Sequence, residues 1–278
     1  MTAREAWFGM NVIQREIGNG QSTRANRHGP ELALDIHCHC LPGVDDGPAT
    51  LAESLELCRA LVDDGIGTVI ASPHQLGRYD GRNSGPAIRE AVEALAAALS
   101  ERNIPLQVLP GAEVRMDERI GRLVRSGEVL TLADRALLLL ELPPDNYIDP
   151  LPLIRWLARQ EIAVIVAHPE RYRAVSRRPE IVKPWVEHGA SLQINAGSLV
   201  GEFGQDAERC AWALLSQPLP LLVATDAHDM KSRPPRLSRA AEQIRRRLGA
   251  AIAALTCREY PGKLLAETVG MLKGPSKS

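Results

Sequence analysis

LALDIHCHCLPGVDDG, residues 32–47, begins with a short apolar segment and ends in a loop of histidine, glycine and aspartate. The apolar part favours a buried β-strand, and the polar residues fall at and just beyond its carboxyl end. Successive side chains of a strand point to opposite faces, so His37 and His39 share one face while Cys38 and Cys40 share the other. We therefore expect the histidines to face a site and the cysteines to pack in the interior.

The apolar segment is the first of several similar runs. Seven short runs recur along the chain, in the order LALDI, TVIAS, LQVLP, ALLLLEL, AVIVA, SLQIN and LLVAT. Segments with helical spacing separate them, and Gly65, Gly127 and Gly189 fall where helices would end. Near-continuous apolar runs are typical of parallel strands covered by helices. Repeated βα units with no linker and no glycine-rich phosphate loop favour a closed α/β barrel over the alternative, an open doubly wound sheet.

Side chains that bind metals follow these runs closely. The nine candidate ligands are His37, His39, Asp46, His74, Glu113, Glu141, His168, Asp226 and His228. In a βα barrel the carboxyl ends of the strands share one rim, so the nine should meet there. A single histidine at a strand end is often structural, but Glu141 would be a buried carboxylate that needs a cationic partner. The sixth run ends instead in Asn195, which we expect to donate a hydrogen bond to a ligand.

The chemistry of these ligands indicates a metallohydrolase. Nitrogen and oxygen donors without thiolate favour Mn²⁺, Fe²⁺ or Zn²⁺, and nine ligands exceed the needs of one ion. Arg171 and Arg233 follow two of the histidines closely, and the planar guanidinium suits a phosphate ester. Each arginine could instead pair with a carboxylate such as Glu170. The sequence has no Cys-x5-Arg and no GxSxG motif, so a side-chain nucleophile is not expected.

Composition excludes some functional classes. The 278 residues carry a formal net charge of -1, which argues against electrostatic binding of nucleic acid or of an anionic membrane surface. No apolar run approaches the roughly 18–20 residues of a membrane span. Five cysteines without disulfide spacing suit a reducing cytoplasm. We predict a flexible extension at residues 1–31, one catalytic domain at residues 32–273, and a polar tail at residues 274–278.

Several motifs together resemble one known family. They are DIHCHCLPGVDDGPAT, GAEVR, AHPERY, QINAGSLVGEFG and TDAHDMKSRPP. Within the PHP (polymerase and histidinol phosphatase) superfamily, the chain resembles the metal-dependent bacterial protein tyrosine phosphatases encoded with capsule and exopolysaccharide genes. The resemblance covers roughly residues 32–263. It implies a distorted seven-stranded (β/α) TIM-like barrel with a site for three metal ions, typically manganese. One departure is Gln75, where relatives often carry histidine or arginine.

The resemblance also implies roles for the candidate residues. One ion would be held by His37, His39, Glu113 and Asp226, a second by Asp46, His74 and His228, and a third by Glu113 with Glu141 and His168. Arg171 and Arg233 would orient the phosphate, and Asp46 or His228 could assist the leaving group. The implied substrate is phosphotyrosine, notably on the tyrosine-rich tail of the kinase that controls polysaccharide polymerisation and export. The expected reaction is direct attack by hydroxide, with no phosphoenzyme.

Other functions stay open at this point. A small-molecule phosphatase, such as one acting on histidinol phosphate, would need the same metal ligands. A nuclease-like phosphoesterase fits less well with the near-neutral net charge. A catalytically silent scaffold module is a third alternative, although the complete ligand set argues against it. The sequence leaves the oligomeric state and the identity of the phosphoprotein open.

Overall fold

The computed structural model describes residues 33–143 and 146–268. Within these ranges all seven predicted runs form strands, so that prediction is confirmed. The strands are β1 Ala33–Cys38, β2 Ile66–Ala71, β3 His74–Gln75, β4 Gln107–Pro110, β5 Glu113–Arg115, β6 Leu137–Glu141, β7 Ala163–Ala167, β8 Ser191–Asn195 and β9 Leu221–Ala224. The predicted extension, residues 1–31, and the predicted tail, residues 274–278, lie outside the described residues.

Every strand pairing is parallel, and the strands follow one another in the order of a barrel. One sheet has the order β1-β2-β4 and the other has the order β3-β5-β6-β7-β8-β9. Strand β3 continues β2 after residues 72–73, and β5 continues β4 after residues 111–112, so the two sheets join at these interruptions. The register sets His74 opposite Glu113, which brings the candidate ligands of neighbouring strands level with each other.

The barrel closes through very few contacts. A single parallel bridge joins Cys38 of β1 to Ala227, just beyond β9. The buried carboxylate of Asp35 strengthens this junction, because it accepts hydrogen bonds from the backbone and the hydroxyl of Thr225 at 3.0 and 2.5 Å. The fold is therefore the expected distorted seven-stranded α/β barrel, with its sparsest pairing between the first and last strands and register shifts between β1 and β2.

Helices cover the outside of the barrel. They are α1 Leu51–Asp63, α2 Gly85–Glu101, α3 Ile120–Ser126, α4 Leu151–Arg159, α5 Arg173–Arg177, α6 Lys183–Glu187, α7 Ala196–Leu199, α8 Gln205–Leu215, α9 Leu237–Leu248, α10 Ala250–Ala254 and α11 Tyr260–Glu267. Gly127 ends α3 with a positive φ of 78°, a conformation that glycine adopts without steric cost. Gly249 separates α9 from α10, and its φ is 98°. None of the described helices is long and apolar enough to cross a membrane.

Apolar side chains fill most of the interior of the barrel, and polar side chains occupy the end at which the strands terminate. A small cluster of buried side chains inside the ring of strands includes Ile36, Ile70, Leu139, Ile165 and Leu222. Residues of the C-terminal helical region close the same cluster from one end. A larger cluster lies between the strands and the surrounding helices. Because apolar residues fill the rest of the interior, the polar side chains at the carboxyl ends of the strands gather at one rim.

One prediction concerns the packing of α3 against α4. Gly121 lies against the Trp156 ring, and a methyl group added there would overlap that ring. Gly121→Ala should therefore lower the free energy of unfolding by about 1–3 kcal/mol in urea denaturation. Gly262→Ala is the matched control, because Gly262 is helical and has no atom near the position of an added methyl group. This control should stabilise by about 0.5 kcal/mol. Equal unfolding midpoints for the two variants would contradict the packing.

Candidate metal centre and cleft

All nine candidate ligands meet at one rim of the barrel. Their donor atoms form overlapping groups in which all the atoms lie within 4.8 Å of one another. The groups are His39 with Asp46, His74 and His228; His37 with His168 and Asp226; His37 with His39 and Glu113; and His74 with Glu113 and Glu141. The grouping differs in part from the allocation that the resemblance implies, because His39 lies with Asp46, His74 and His228. His37, His39, His74 and Glu113 each belong to two of the groups.

The arrangement fits bound divalent cations. Four buried atoms in the cluster have no hydrogen-bond partner: Glu113 Oε2, Glu141 Oε2, Asp226 Oδ1 and His168 Nδ1. A buried carboxylate oxygen without a donor is costly, and several in one cluster more so. Carboxylate and imidazole donors are the ligands of Mn²⁺, Fe²⁺ and Zn²⁺. Cations between these atoms would compensate the buried negative charge.

Electrostatics within the cluster are strongly coupled. Although burial opposes its ionisation, the nearby His37 and His168 hold the pKa of Glu113 well below its ordinary value. Burial likewise opposes a charge on His37, but Asp226 and Glu113 raise its pKa to about 9. Burial and a neighbouring imidazole lower the pKa of His228 to about 4. Because a metal ligand must be a neutral imidazole, cation binding here has to displace protons.

Irregular backbone orients three of the candidate ligands, which are His37, His168 and Asp226. The register of β1 shifts between Asp35 and Cys38, so Ile36 packs in the interior of the barrel and His37 still reaches the site. Such bulges re-aim side chains next to active sites. His168 and Asp226 have positive φ values of 32° and 52°, which non-glycine residues rarely adopt. Local strain of this kind is typical of functional sites.

A chain of buried amides connects ligands that come from different strands. His37 Nδ1 lies 2.9 Å from Gln193 Oε1, which also accepts a hydrogen bond from the backbone of His168 at 3.2 Å. Gln193 Nε2 donates to Asn195, and Asn195 Nδ2 donates to Asp226 Oδ2, at 2.7 and 2.6 Å. The predicted role of Asn195 as a donor to a ligand is confirmed. Gln193 was not anticipated, although its position two residues before Asn195 on β8 places it on the same face.

The loop after β1 holds His39 through Asp45, which was not among the predicted site residues. His39 Nδ1 lies 2.6 Å from Asp45 Oδ2, which also accepts a hydrogen bond from the backbone of His74 at 3.0 Å. A carboxylate on the far nitrogen is the usual way to orient a metal-binding histidine. Gly47 lies so close to the carbonyl of His39 that any side chain would collide with it. The repeated aspartate of GVDDG was the available signal for Asp45.

Both predicted arginines contact Asp226. Arg171 Nη1 lies 3.1 Å from Asp226 Oδ2, and Arg233 donates to the same oxygen. The alternative, that each arginine pairs with a nearby carboxylate, is therefore confirmed, although that carboxylate is Asp226 and not Glu170. Glu170 is buried and accepts hydrogen bonds from the backbone of Asn195 and the hydroxyl of Ser198, at 3.0 and 2.7 Å. The two guanidinium groups therefore stand beside the ligand cluster rather than on the outer surface.

A cleft of about 240 Å³ opens above the cluster. Two arginines that were not anticipated also line it: Arg115 pairs with Glu141 at 2.8 Å, and Arg78 pairs with Asp46 at 2.8 Å. Tyr79 stacks against the His74 ring with a centroid distance of 5.3 Å. The cleft therefore places guanidinium groups, each paired with a carboxylate, and an aromatic face next to the candidate ligands, which suits an aryl phosphate.

Gln75 and the cysteines have structural roles. Gln75 is buried, donates to the carbonyls of Asn83 and Glu128 and accepts from the backbone of Leu130, so its amide has no free donor for a phosphate. All five cysteines are buried and free, as predicted for packing residues. Burial raises the pKa of Cys38 to about 11, which leaves no thiolate beside the histidines.

The amide chain gives a second prediction. Gln193→Leu removes the acceptor of His37 and leaves the backbone of His168 unpaired, so metal affinity should fall about 10–100-fold. Isothermal titration with Mn²⁺ measures this change. Gln107→Leu, on an exposed residue of β4, is the matched control and should bind metal as the parent protein does. Unchanged affinity of the Gln193 variant would contradict the proposed orientation of these ligands.

Solved structures of two kinds resemble the fold. A crystal structure described as that of YwqE from Bacillus subtilis and CpsB from Streptococcus pneumoniae, unique metal-dependent tyrosine phosphatases, superposes with a TM-score of 0.79 and 33% identity, covering 84% of this chain and 94% of the other. An organophosphorus hydrolase mutant from Deinococcus radiodurans superposes with a TM-score of 0.53 at 18% identity, covering 87% and 99%. The second likeness concerns the barrel fold alone.

Sequence comparisons agree with the first structure. The tyrosine-protein phosphatase YwqE of Bacillus subtilis is 39% identical over 204 residues, which are 72% of this chain and 79% of the relative. The tyrosine-protein phosphatase CpsB of Streptococcus agalactiae is 29% identical over 224 residues, 78% and 91% of the two chains. The family model for capsular polysaccharide synthesis, CpsB/CapC, matches residues 33–266. The chain therefore belongs to the CpsB/CapC family of capsular polysaccharide synthesis.

Proposed function

We propose that this chain is a metal-dependent protein tyrosine phosphatase that hydrolyses phosphotyrosine. The observation that carries the proposal is the cluster of buried carboxylate oxygens without hydrogen-bond partners, which opens into a cleft lined by four arginines. Buried carboxylates require cations as partners, and arginines bind anions. A phosphate ester meets both conditions, because its oxygens can contact metal cations and guanidinium groups. Relatives named as tyrosine phosphatases narrow the ester to phosphotyrosine.

For the metal we propose three Mn²⁺ ions, with Fe²⁺ or Zn²⁺ as alternatives. His37, His39, Glu113 and Asp226 would hold one ion, Asp46, His74 and His228 a second, and Glu113, Glu141 and His168 a third. When bound, such cations lower the pKa of water and neutralise charge that develops on phosphoryl oxygens. The donor set, with no thiolate among the nine ligands, supports these metals over softer ones.

The protein groups would bind and orient the substrate. Arg171 and Arg233 both contact Asp226 at the edge of the cluster, and we assign them to the phosphate oxygens. Asp46 is about one-third exposed at the cleft and lies 3.2 Å from His74 and 3.5 Å from His228. We propose that Asp46 and His228 assist proton movement near the leaving oxygen. Tyrosinate, whose pKa is about 10, leaves without a strong general acid.

The partner and the cellular location follow from the same proposal. We propose that the substrate is a bacterial tyrosine kinase that regulates capsule or exopolysaccharide synthesis, in keeping with the name of the family. Residues 32–273 would form the phosphatase domain of the PHP type. Five free, buried cysteines support a reducing compartment, the cytoplasm.

A substrate panel tests the proposal. The protein loaded with Mn²⁺ should release phosphate from a phosphotyrosine peptide far faster than from histidinol phosphate, and it should leave single-stranded DNA intact. Metal quantification on the same sample should give about three equivalents per chain. Preferred turnover of histidinol phosphate would favour the small-molecule phosphatase instead. Metal binding without any turnover would favour a silent scaffold.

One ligand variant links the metal to the activity. His168→Ala removes a buried imidazole from the cluster, so bound metal should fall and kcat/KM should drop by at least about 100-fold. His188→Ala is the matched control, since His188 is exposed at the end of α6, and it should keep full activity. Thermal unfolding should show both variants folded. Full turnover by the His168 variant would refute the assignment of this ligand.

A further inference from the structure

A second concavity, of about 450 Å³, adjoins the metal centre. We call it the basic groove, and we define it by Tyr147, Ile148, Tyr172, Arg173, Arg177 and Arg178, which are among its lining residues. The groove combines apolar surface with three arginines, and such a surface suits a polypeptide better than a small polar metabolite.

The basic groove is continuous with the candidate ligands. Leu142 lines the groove and directly follows the ligand Glu141 on the chain. Its backbone donates a hydrogen bond to the Tyr172 hydroxyl at 2.7 Å. The Tyr172 ring in turn lies 5.7 Å from the ring of the ligand His168. A chain whose phosphotyrosine enters the cleft would therefore carry its neighbouring residues across Tyr172 into the groove.

The apolar wall of the groove is unusually exposed. Tyr147 and Ile148 have 46% and 50% of their surface accessible, and they are two of the four large exposed hydrophobic residues in the described parts of the chain. The next residue, Asp149, anchors them, because its carboxylate accepts hydrogen bonds from Trp185 and from the backbone of Leu151, both at 3.0 Å. Exposed apolar side chains on an anchored segment are typical of a binding surface.

The opposite wall carries positive charge that is available for a ligand. Arg173 and Arg177 begin and end α5, and Arg178 follows directly. All three are exposed, and none forms an ion pair with a carboxylate of the described residues. Arg171 and Arg115, by contrast, are already paired with Asp226 and Glu141. Unpaired guanidinium groups at the rim of a cleft attract acidic partners.

We propose that the basic groove is a docking site for an acidic segment that flanks the phosphotyrosine of the substrate protein. Its carboxylates would pair with Arg173, Arg177 and Arg178, and an apolar side chain of the same segment would pack on Tyr147 and Ile148. This inference rests on the proposed phosphatase function. It adds to that function a preference for sequence, which the metal centre alone does not provide.

The test compares two phosphotyrosine peptides with the intact, metal-loaded protein. One peptide carries glutamate and leucine on both sides of the phosphotyrosine, and the other carries glutamine in place of each glutamate. The parent protein should hydrolyse the acidic peptide with about a tenfold lower KM and a similar kcat, because each exposed ion pair contributes modestly. The preference should shrink as salt is added.

Two charge-removing variants locate the preference. R177Q/R178Q should raise KM for the acidic peptide to the value of the neutral one, while turnover of p-nitrophenyl phosphate stays unchanged. R245Q/R246Q is the matched control, since it removes two exposed arginines of α9, and it should keep the preference. An equal KM for both peptides with the parent protein, or an equal loss in the control variant, would overturn the proposal.

Binding separates this inference from the proposed function. The same two peptides with a non-hydrolysable difluorophosphonate in place of the phosphate can be followed by fluorescence anisotropy. Tighter binding of the acidic peptide, lost in R177Q/R178Q, would support the groove even if no peptide is turned over. Turnover of both phosphopeptides with equal binding of their analogues would overturn the groove and leave the phosphatase function standing.

Discussion

The buried carboxylate of Asp226 is the point on which the site depends. One of its oxygens accepts hydrogen bonds from Asn195, Arg171 and Arg233. The other oxygen has no hydrogen-bond partner and faces the imidazoles. A buried anion of this kind is tolerated only when opposite charge and donors surround it. The amide chain from Gln193, the strained backbone at the end of β9 and the placement of both arginines all serve this requirement.

The sequence allowed much of this architecture to be predicted. The near-continuous apolar runs predicted the strands and their parallel arrangement. The meeting of the nine candidate ligands follows from the rule that the carboxyl ends of parallel strands share an edge. Side chains that depend on this rule, such as His74 and Glu141, were placed correctly at the rim. The hydrogen bond that Asn195 donates to Asp226 was expected from the same rule.

Other features depend on geometry that the pattern of residue types does not contain. The bulge in β1 shifts the alternation of side chains, and alternation alone gives no sign of it. Arg115 reaches Glu141 because β5 and β6 pair in one particular register, in which the two residues stand side by side. Gln193 and Asp45 contact the far nitrogen of a histidine, so residue type alone does not identify them, although the repeated aspartate of GVDDG and the position of Gln193 on β8 were available signals.

The closure of the barrel by Cys38 and Ala227 has a consequence for the order of assembly. These residues are 189 positions apart, and the backbone of His39 bonds to Ala227 across the same junction at 2.9 Å. Contacts between such distant segments form late in folding, because a long loop must first be ordered. During synthesis the first strand is made long before the last. Its histidines therefore lack their contacts with the segment after the last strand until that segment has been made. If the cluster binds cations as proposed, its complete occupation would require that the whole ring of strands has formed.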